Sequence, residues 1–167
     1  ALSVPDYCET HHEEAWLTNV TAVEQLAHLC ESYKSRFIHL STDFVFDGKI
    51  DEKSGQLYTE ESLPAPVNYY GFTKWKGEEK VAEICSNYAI ARVEIVYGKA
   101  LPGQHGNIVQ LVMNRLNAGQ EIRVVSDQWR TPTYVGDVSA GVQHLMENAA
   151  NGIFHICGDE CLTIAEI

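Results

Sequence analysis

The chain has 167 residues, 45% of them hydrophobic and 21% charged, an ordinary globular composition of about one domain that excludes a disordered segment. Its 12 basic and 23 acidic residues leave a formal charge of −11, which argues against nonspecific binding to nucleic acid or anionic membrane, because both need clustered Lys and Arg. No apolar run approaches the roughly 18 residues of a membrane span.

In chain order, residues 9–32 set Trp16, Val20, Val23, Ala27 and Cys30 at helical spacing, which predicts one long amphipathic helix. Residues 36–42 read as a short apolar strand, and 43–65, polar and acidic with Gly48 and Gly55, as a long loop. A helix is predicted over 69–86 and a β-branched strand over 89–98. A helix at 107–118, a strand at 121–125, a helix at 137–148 and a strand at 152–157 complete the pattern. Strands alternating with helices of this length predict an α/β fold with a parallel sheet. No repeat or low-complexity segment occurs.

Cys8, Cys30, Cys85, Cys157 and Cys161 are odd in number and form no CxxC pair, which reads as reduced thiols in a cytoplasmic protein. His11 and His12 adjoin Glu13 and Glu14. Adjacent helical positions point about 100° apart, so a solvated polar face is the preferred reading and no metal is expected. The chain opens on Ala1, and Thr163–Glu166 has the pattern of a capping box that opens a helix one residue before Ile167, so a longer polypeptide is expected. Parallel α/β dinucleotide binders usually open with strand, glycine-rich turn and helix. No GxGxxG or GxxGxxG occurs; Gly98, Gly103 and Gly106 follow a later strand and enclose Pro102.

Tyr70 and Lys74 stand at i and i+4 of a predicted helix, on one face and roughly 6 Å apart at the backbone. An ammonium so placed is expected to favour the phenolate and lower the tyrosine pKa from about 10. Such a phenol exchanges a proton with a carbonyl oxygen or hydroxyl near neutral pH. With 8 tyrosines and 7 lysines, chance supplies about 0.3 such pairs, so the motif needs context, and the plain alternative is an exposed helical pair. The context is upstream, where a strand ends at Ser41-Thr42-Asp43. Parallel sheets place ligands at that end, and Thr42 or Ser41 would hydrogen-bond the oxygen that Tyr70 protonates. A strand-end turn is the plain alternative for Thr42.

Leu40-Ser-Thr-Asp-Phe-Val-Phe-Asp-Gly48, Pro64-Ala-Pro-Val-Asn-Tyr-Tyr-Gly-Phe-Thr-Lys74 and Gly77-Glu78 resemble the extended short-chain dehydrogenase/reductase superfamily, and within it the dTDP-4-dehydrorhamnose reductase group. Residues 92–98, Asp127-Gln-Trp-Arg-Thr-Pro-Thr-Tyr-Val-Gly-Asp137 and residues 152–158 extend the likeness over nearly the whole chain. The resemblance implies a partial Rossmann-like parallel sheet without its first glycine-rich βαβ unit. Residues 1–100 would be the later part of the NAD(P)-binding domain with the catalytic residues. Residues 101–167 would be mainly a substrate-binding region, interleaved with the sheet. It implies that Thr42 polarises the substrate carbonyl, Tyr70 is the general acid, and Lys74 holds the nicotinamide ribose while lowering the Tyr70 pKa. Asn19 would support the site from the first helix, or pack as a polar helix residue.

The resemblance further assigns cofactor contacts to Tyr70, Lys74 and Arg92, the last equally a structural ion pair, and substrate contacts to Thr42, Asp43 and Arg130. Arg130 departs from a glycine frequent near this point in the rhamnose group, and residues 49–56 look like an insertion. The implied reaction is hydride transfer from NADPH or NADH to a 4-keto nucleotide-linked deoxysugar. Family members are frequently homodimers. An epimerase on a nucleotide sugar is an alternative, while a dehydratase is disfavoured because no glutamate follows Asp43. The regulatory subunit of methionine adenosyltransferase is similar too, through Pro5-Asp6 and Arg130-Thr-Pro-Thr133, which leaves a non-catalytic role open. The isolated chain is expected to be inactive, because it lacks the helix N-terminus that holds the pyrophosphate.

Overall fold

The computed structural model describes residues 1–49, 57–99 and 106–167. The expected insertion, apart from Lys49, and Gly55, Pro102 and Gly103 lie outside the described residues. The chain divides into two compact units, one of Ala1–Arg92 with Val142–His155, the other of Val93–Gly141 with Ile156–Ile167. The chain leaves the first unit after Arg92 and returns to it at Val142.

In the first unit a short helix α1 (Pro5–Cys8) begins with proline, whose fixed φ suits a first helical turn. The long helix expected over 9–32 is α2 (His12–Trp16), a π-helical turn (Leu17–Thr21) and α3 (Ala22–Ser32). The wider turn buries Asn19 and Val20. Strand β1 (Phe37–Thr42) follows, then a 3-10 turn (Asp43–Val45) that Thr42 caps by accepting from Phe44 N. Helix α4 (Tyr69–Ile84) starts where Asn68 Oδ1 accepts from Gly71 N at 2.8 Å. It stops two residues short of the expected end, as Cys85 turns extended.

Strands β1, β2 (Tyr88–Val93) and β6 (Gly152–Ile156) form a three-stranded parallel sheet in the order β1-β2-β6, with only Ile156 assigned to the second unit. Its apolar core is Val23, Ala27, Val81, Cys85 and Ile90, with Phe37, Tyr88 and Ile153 against it. Arg36 ties three segments together: it donates to Leu145 O at 2.9 Å, Asn87 Oδ1 at 2.5 Å and Ala150 O at 2.5 Å. Two helical glycines let α4 lie close to its neighbours. A Cβ on Gly77 would stand 2.6 Å from the Asn19 carbonyl oxygen, and one on Gly71 would overlap the Phe44 carbonyl.

In the second unit β3 (Val96–Tyr97) pairs in parallel with β5 (Thr133–Tyr134), and β4 (Trp129–Arg130) pairs antiparallel with β7 (Leu162–Thr163). Helix α5 (Ile108–Asn117) is capped by Asn107 and encloses no residue. Helix α6 (Val135–Glu147) begins in this unit and ends in the other. The strand expected at 121–125 does not form: Val124 and Val125 are exposed and the segment pairs with no described strand, so β-propensity has no packing to act on. At the chain end, Glu166 Oε2 accepts from Thr163 N and Thr163 Oγ1, both at 2.8 Å, the reciprocal half of the expected capping box.

Candidate active site

The site is built where β1 ends and α4 begins, both in the first unit. Thr42, the last residue of β1, is buried, and its Oγ1 donates to Asp43 Oδ1 at 3.0 Å. Tyr70, in the first turn of α4, is also buried, with the Phe44 ring set edge-on to it at 5.6 Å. The Thr42 hydroxyl acts on its phenol, favouring the ionised form. The structure thus brings together Thr42, Asp43 and Tyr70 at the carboxyl tip of a parallel strand, with Lys74 one turn further along α4.

The electrostatics differ from the sequence expectation. Burial raises the Tyr70 pKa above its ordinary value, and the Thr42 hydroxyl pulls the other way without reversing it. Lys74 is not the group that tunes the phenol. Its ammonium donates to Leu40 O of β1 at 2.7 Å, and burial lowers its own pKa to about 8, with Glu78 opposing. The expected depression of Tyr70 by Lys74 is therefore corrected: i,i+4 spacing puts the two on one face, but a buried lysine without a direct carboxylate partner turns to a backbone carbonyl. A phenol held protonated at neutral pH is the form that gives up a proton.

Asn19 is fully buried and ties three segments. Its Oδ1 accepts from Leu2 N at 2.8 Å, and its Nδ2 donates to Leu2 O at 3.0 Å and Thr73 Oγ1 at 3.1 Å. Thr73 Oγ1 in turn donates to Tyr70 O at 2.9 Å, so Asn19 braces the turn of α4 that carries Tyr70.

Arg92, on β2, is buried. It is enclosed in a two-pronged ion pair, Nε to Glu78 Oε1 at 2.9 Å and Nη2 to Glu78 Oε2 at 2.6 Å, with the Phe46 ring 5.0 Å from its Cζ. This is the structural ion pair between β2 and α4 that the sequence left open beside a cofactor contact. Arg130 lies in the second unit on β4, 3.8 Å from Glu94 Oε1, and Thr131 Oγ1 also donates to Glu94. His11 and His12 stack on different rings, Tyr7 at 3.7 Å and Tyr69 at 3.8 Å.

Sequence reasoning passed over Glu78 as a partner, Thr73 as a brace, and His39. The signal available for the first two was the pair of glycines inside a helix, each costing about 1 kcal/mol against alanine unless a neighbour comes close. His39 carried no such signal.

The parallel sheet that carries these residues belongs to a Rossmann-like α/β fold. The chain belongs to the family described as RmlD substrate binding domain, which matches residues 1–167, within the short-chain dehydrogenase/reductase superfamily. It is 34% identical over 165 residues to a dTDP-4-dehydrorhamnose reductase of Sinorhizobium fredii, covering 95% of this chain and 53% of that protein. It is likewise 34% identical over 169 residues to methionine adenosyltransferase 2 subunit beta of Danio rerio, covering 98% of this chain and 50% of the relative. The crystal structure of a Bacillus anthracis dTDP-4-dehydrorhamnose reductase in complex with NADP superposes with a TM-score of 0.87 at 31% identity, over 98% of this chain and 56% of that one. The chain spans about half the length of these relatives. No helix among the described residues is long and apolar enough to cross a membrane.

Proposed function

We propose that this chain carries the proton-transfer half of a reductase that uses NADPH or NADH to reduce the 4-keto group of a nucleotide-linked deoxysugar. The observation that carries the reading is the enclosure of Thr42, the last residue of β1, and Tyr70, in the first turn of α4, where the Thr42 hydroxyl acts on the phenol. In the reduction, Thr42 hydrogen-bonds the keto oxygen and Tyr70 delivers a proton to it as negative charge develops there. Asp43 Oδ1 accepts the single Thr42 hydroxyl proton in the structure, and the bond is exchanged for the one to the keto oxygen when substrate binds.

The residues present suit a nicotinamide nucleotide: the Lys74 ammonium has three donors, and Leu40 O takes one, leaving donors for ribose hydroxyls. The cofactor supplies the hydride when bound. Arg130, a guanidinium suited to paired anionic oxygens, is the proposed contact for the nucleotide diphosphate. The names of the relatives, and NADP in the Bacillus anthracis structure, support cofactor and substrate class.

The test is oxidation of NADPH by the full-length protein in the presence of dTDP-4-keto-6-deoxymannose, followed at the nicotinamide absorbance band. Tyr70→Phe is expected to lose about a hundredfold or more of the rate. No oxidation by the full-length protein, or an unimpaired Tyr70→Phe, overturns the reading. A second reading, a regulatory subunit, is favoured by the equal likeness to methionine adenosyltransferase 2 subunit beta. Absence of turnover together with tight binding to a methionine adenosyltransferase catalytic chain is its signature.

A further inference from the structure

A buried ammonium needs an acceptor for each of its three N–H groups. Lys74 is 4% exposed, and Leu40 O takes one of the three. Glu78, one turn along α4, pairs with Arg92 through both carboxylate oxygens and makes no hydrogen bond to the Lys74 ammonium. The supply lies on the strand to which the ammonium is already bonded.

Leu40 is flanked in β1 by His39 and Ser41, and both are buried. Alternation along the strand puts those two on one face and Leu40, whose side chain is exposed, on the other. The face that bears His39 and Ser41 looks at α4: a Cβ on Gly77 would stand 3.6 Å from His39 Nε2 and 2.6 Å from the Asn19 carbonyl oxygen. Gly77 follows Lys74 by three residues, so the two share one side of α4. Neither His39 Nε2 nor Ser41 Oγ has a hydrogen-bond partner among the described residues, although both atoms are buried. Two enclosed polar atoms without partners among the described residues thus lie on the face of β1 turned to α4, beside the strand residue that holds the Lys74 ammonium, where a glycine withholds its side chain.

Buried water settles where it finds about three polar partners. We propose that His39 Nε2 and Ser41 Oγ together hold an internal water against the Lys74 ammonium, so that His39 acts as a positioning residue for Lys74. The water accepts from Lys74, donates to the imidazole nitrogen and exchanges a hydrogen bond with the serine. The ammonium is then fixed by two bonds toward β1 and turns its third toward the open side of the site. This assignment needs the imidazole neutral. The groups that act on His39 are its own burial, the Lys74 ammonium and the chain's amino group, and together they lower its pKa to about 3.

The proposal rests on Lys74 belonging to the reaction site, but it is read on Lys74 itself. In the full-length protein with 13C-labelled lysine, the NMR titration of Lys74 is compared between wild type, His39→Leu, His39→Gln and Ser41→Ala. Loss of the acceptor in His39→Leu is expected to lower the Lys74 pKa by about one to two pH units, since hydrogen bonds to charged groups are worth that much. His39→Gln keeps an acceptor and is expected to retain most of the wild-type value. Ser41→Ala gives a smaller fall, and it decides the matter if His39→Leu does not fold. Unchanged Lys74 titration in the folded variants overturns the proposal. A titration that moves in a protein without reductase activity overturns the function proposed above and leaves this inference standing.

Discussion

Helices α4 and α5 bury opposite things. The α4 helix of the first unit encloses Tyr70, Thr73, Lys74 and Glu78 with only Val81 as an aliphatic member, whereas α5 of the second unit encloses nothing, though its apolar periodicity is the cleaner of the two. Leu111, Met113 and Leu116 of α5 are each more than half exposed. A polar side chain is enclosed without penalty only where a partner meets it. Helix α4 keeps its polar face because Leu40 meets Lys74, Arg92 meets Glu78 and Asn19 meets Thr73. Periodicity of apolar residues marks a helix that has a side to bury. It does not find the helix on which chemistry is assembled, where the enclosed side is polar.

The largest effect expected from breaking that contrast lies at the ion pair of α4 with β2, whose two side chains are 4% and 3% exposed. Arg92→Met leaves Glu78 enclosed and unpaired, and urea unfolding should show a loss of about 3–5 kcal/mol. The double change Glu78→Leu with Arg92→Met should recover most of it. A single-variant loss below about 1 kcal/mol would mean that water reaches the pair.

The close approach of α4 to the π-helical turn gives the next effect. Alanine is normally better than glycine inside a helix by about 1 kcal/mol. Gly77→Ala should reverse that sign and cost about 1–3 kcal/mol, because its Cβ meets the Asn19 carbonyl. A stability gain in the same unfolding assay would place the two elements further apart. The smallest effect belongs to α5: Met113→Gln, on a face that encloses nothing, should stay within about 0.5 kcal/mol by thermal denaturation.

Legibility followed the same line. Helices at 107–118 and 137–148 and strands at 36–42 and 152–157 were readable within a few residues, because each carries its own period or β-branched run; the helix at 69–86 was readable too, although its enclosed side is polar. The π-helical turn at 17–21 was hidden, since Asn19 and Val20 fit the α-helical register and only the Leu2 and Thr73 partners show why the turn widens. The two-residue strands Trp129–Arg130 and Thr133–Tyr134 are too short for any pattern. Thr42, Tyr70 and Lys74 were legible as a group from spacing and the strand-end hydroxyls, but the direction of the Tyr70 shift was not. It depends on how deeply the phenol is enclosed and on where the ammonium points, and neither is a property of neighbouring letters.

Sequence alone determined the α/β class, the helical pairing of Tyr70 with Lys74 and the hydroxyl at the end of β1, because these follow from local periodicity and from where a strand stops. Tertiary structure decided that Arg92 answers Glu78, that Lys74 answers Leu40 and that His39 and Ser41 look at α4. Those outcomes depend on which polar groups are shut away from water together, and enclosure is set by segments far apart in the chain.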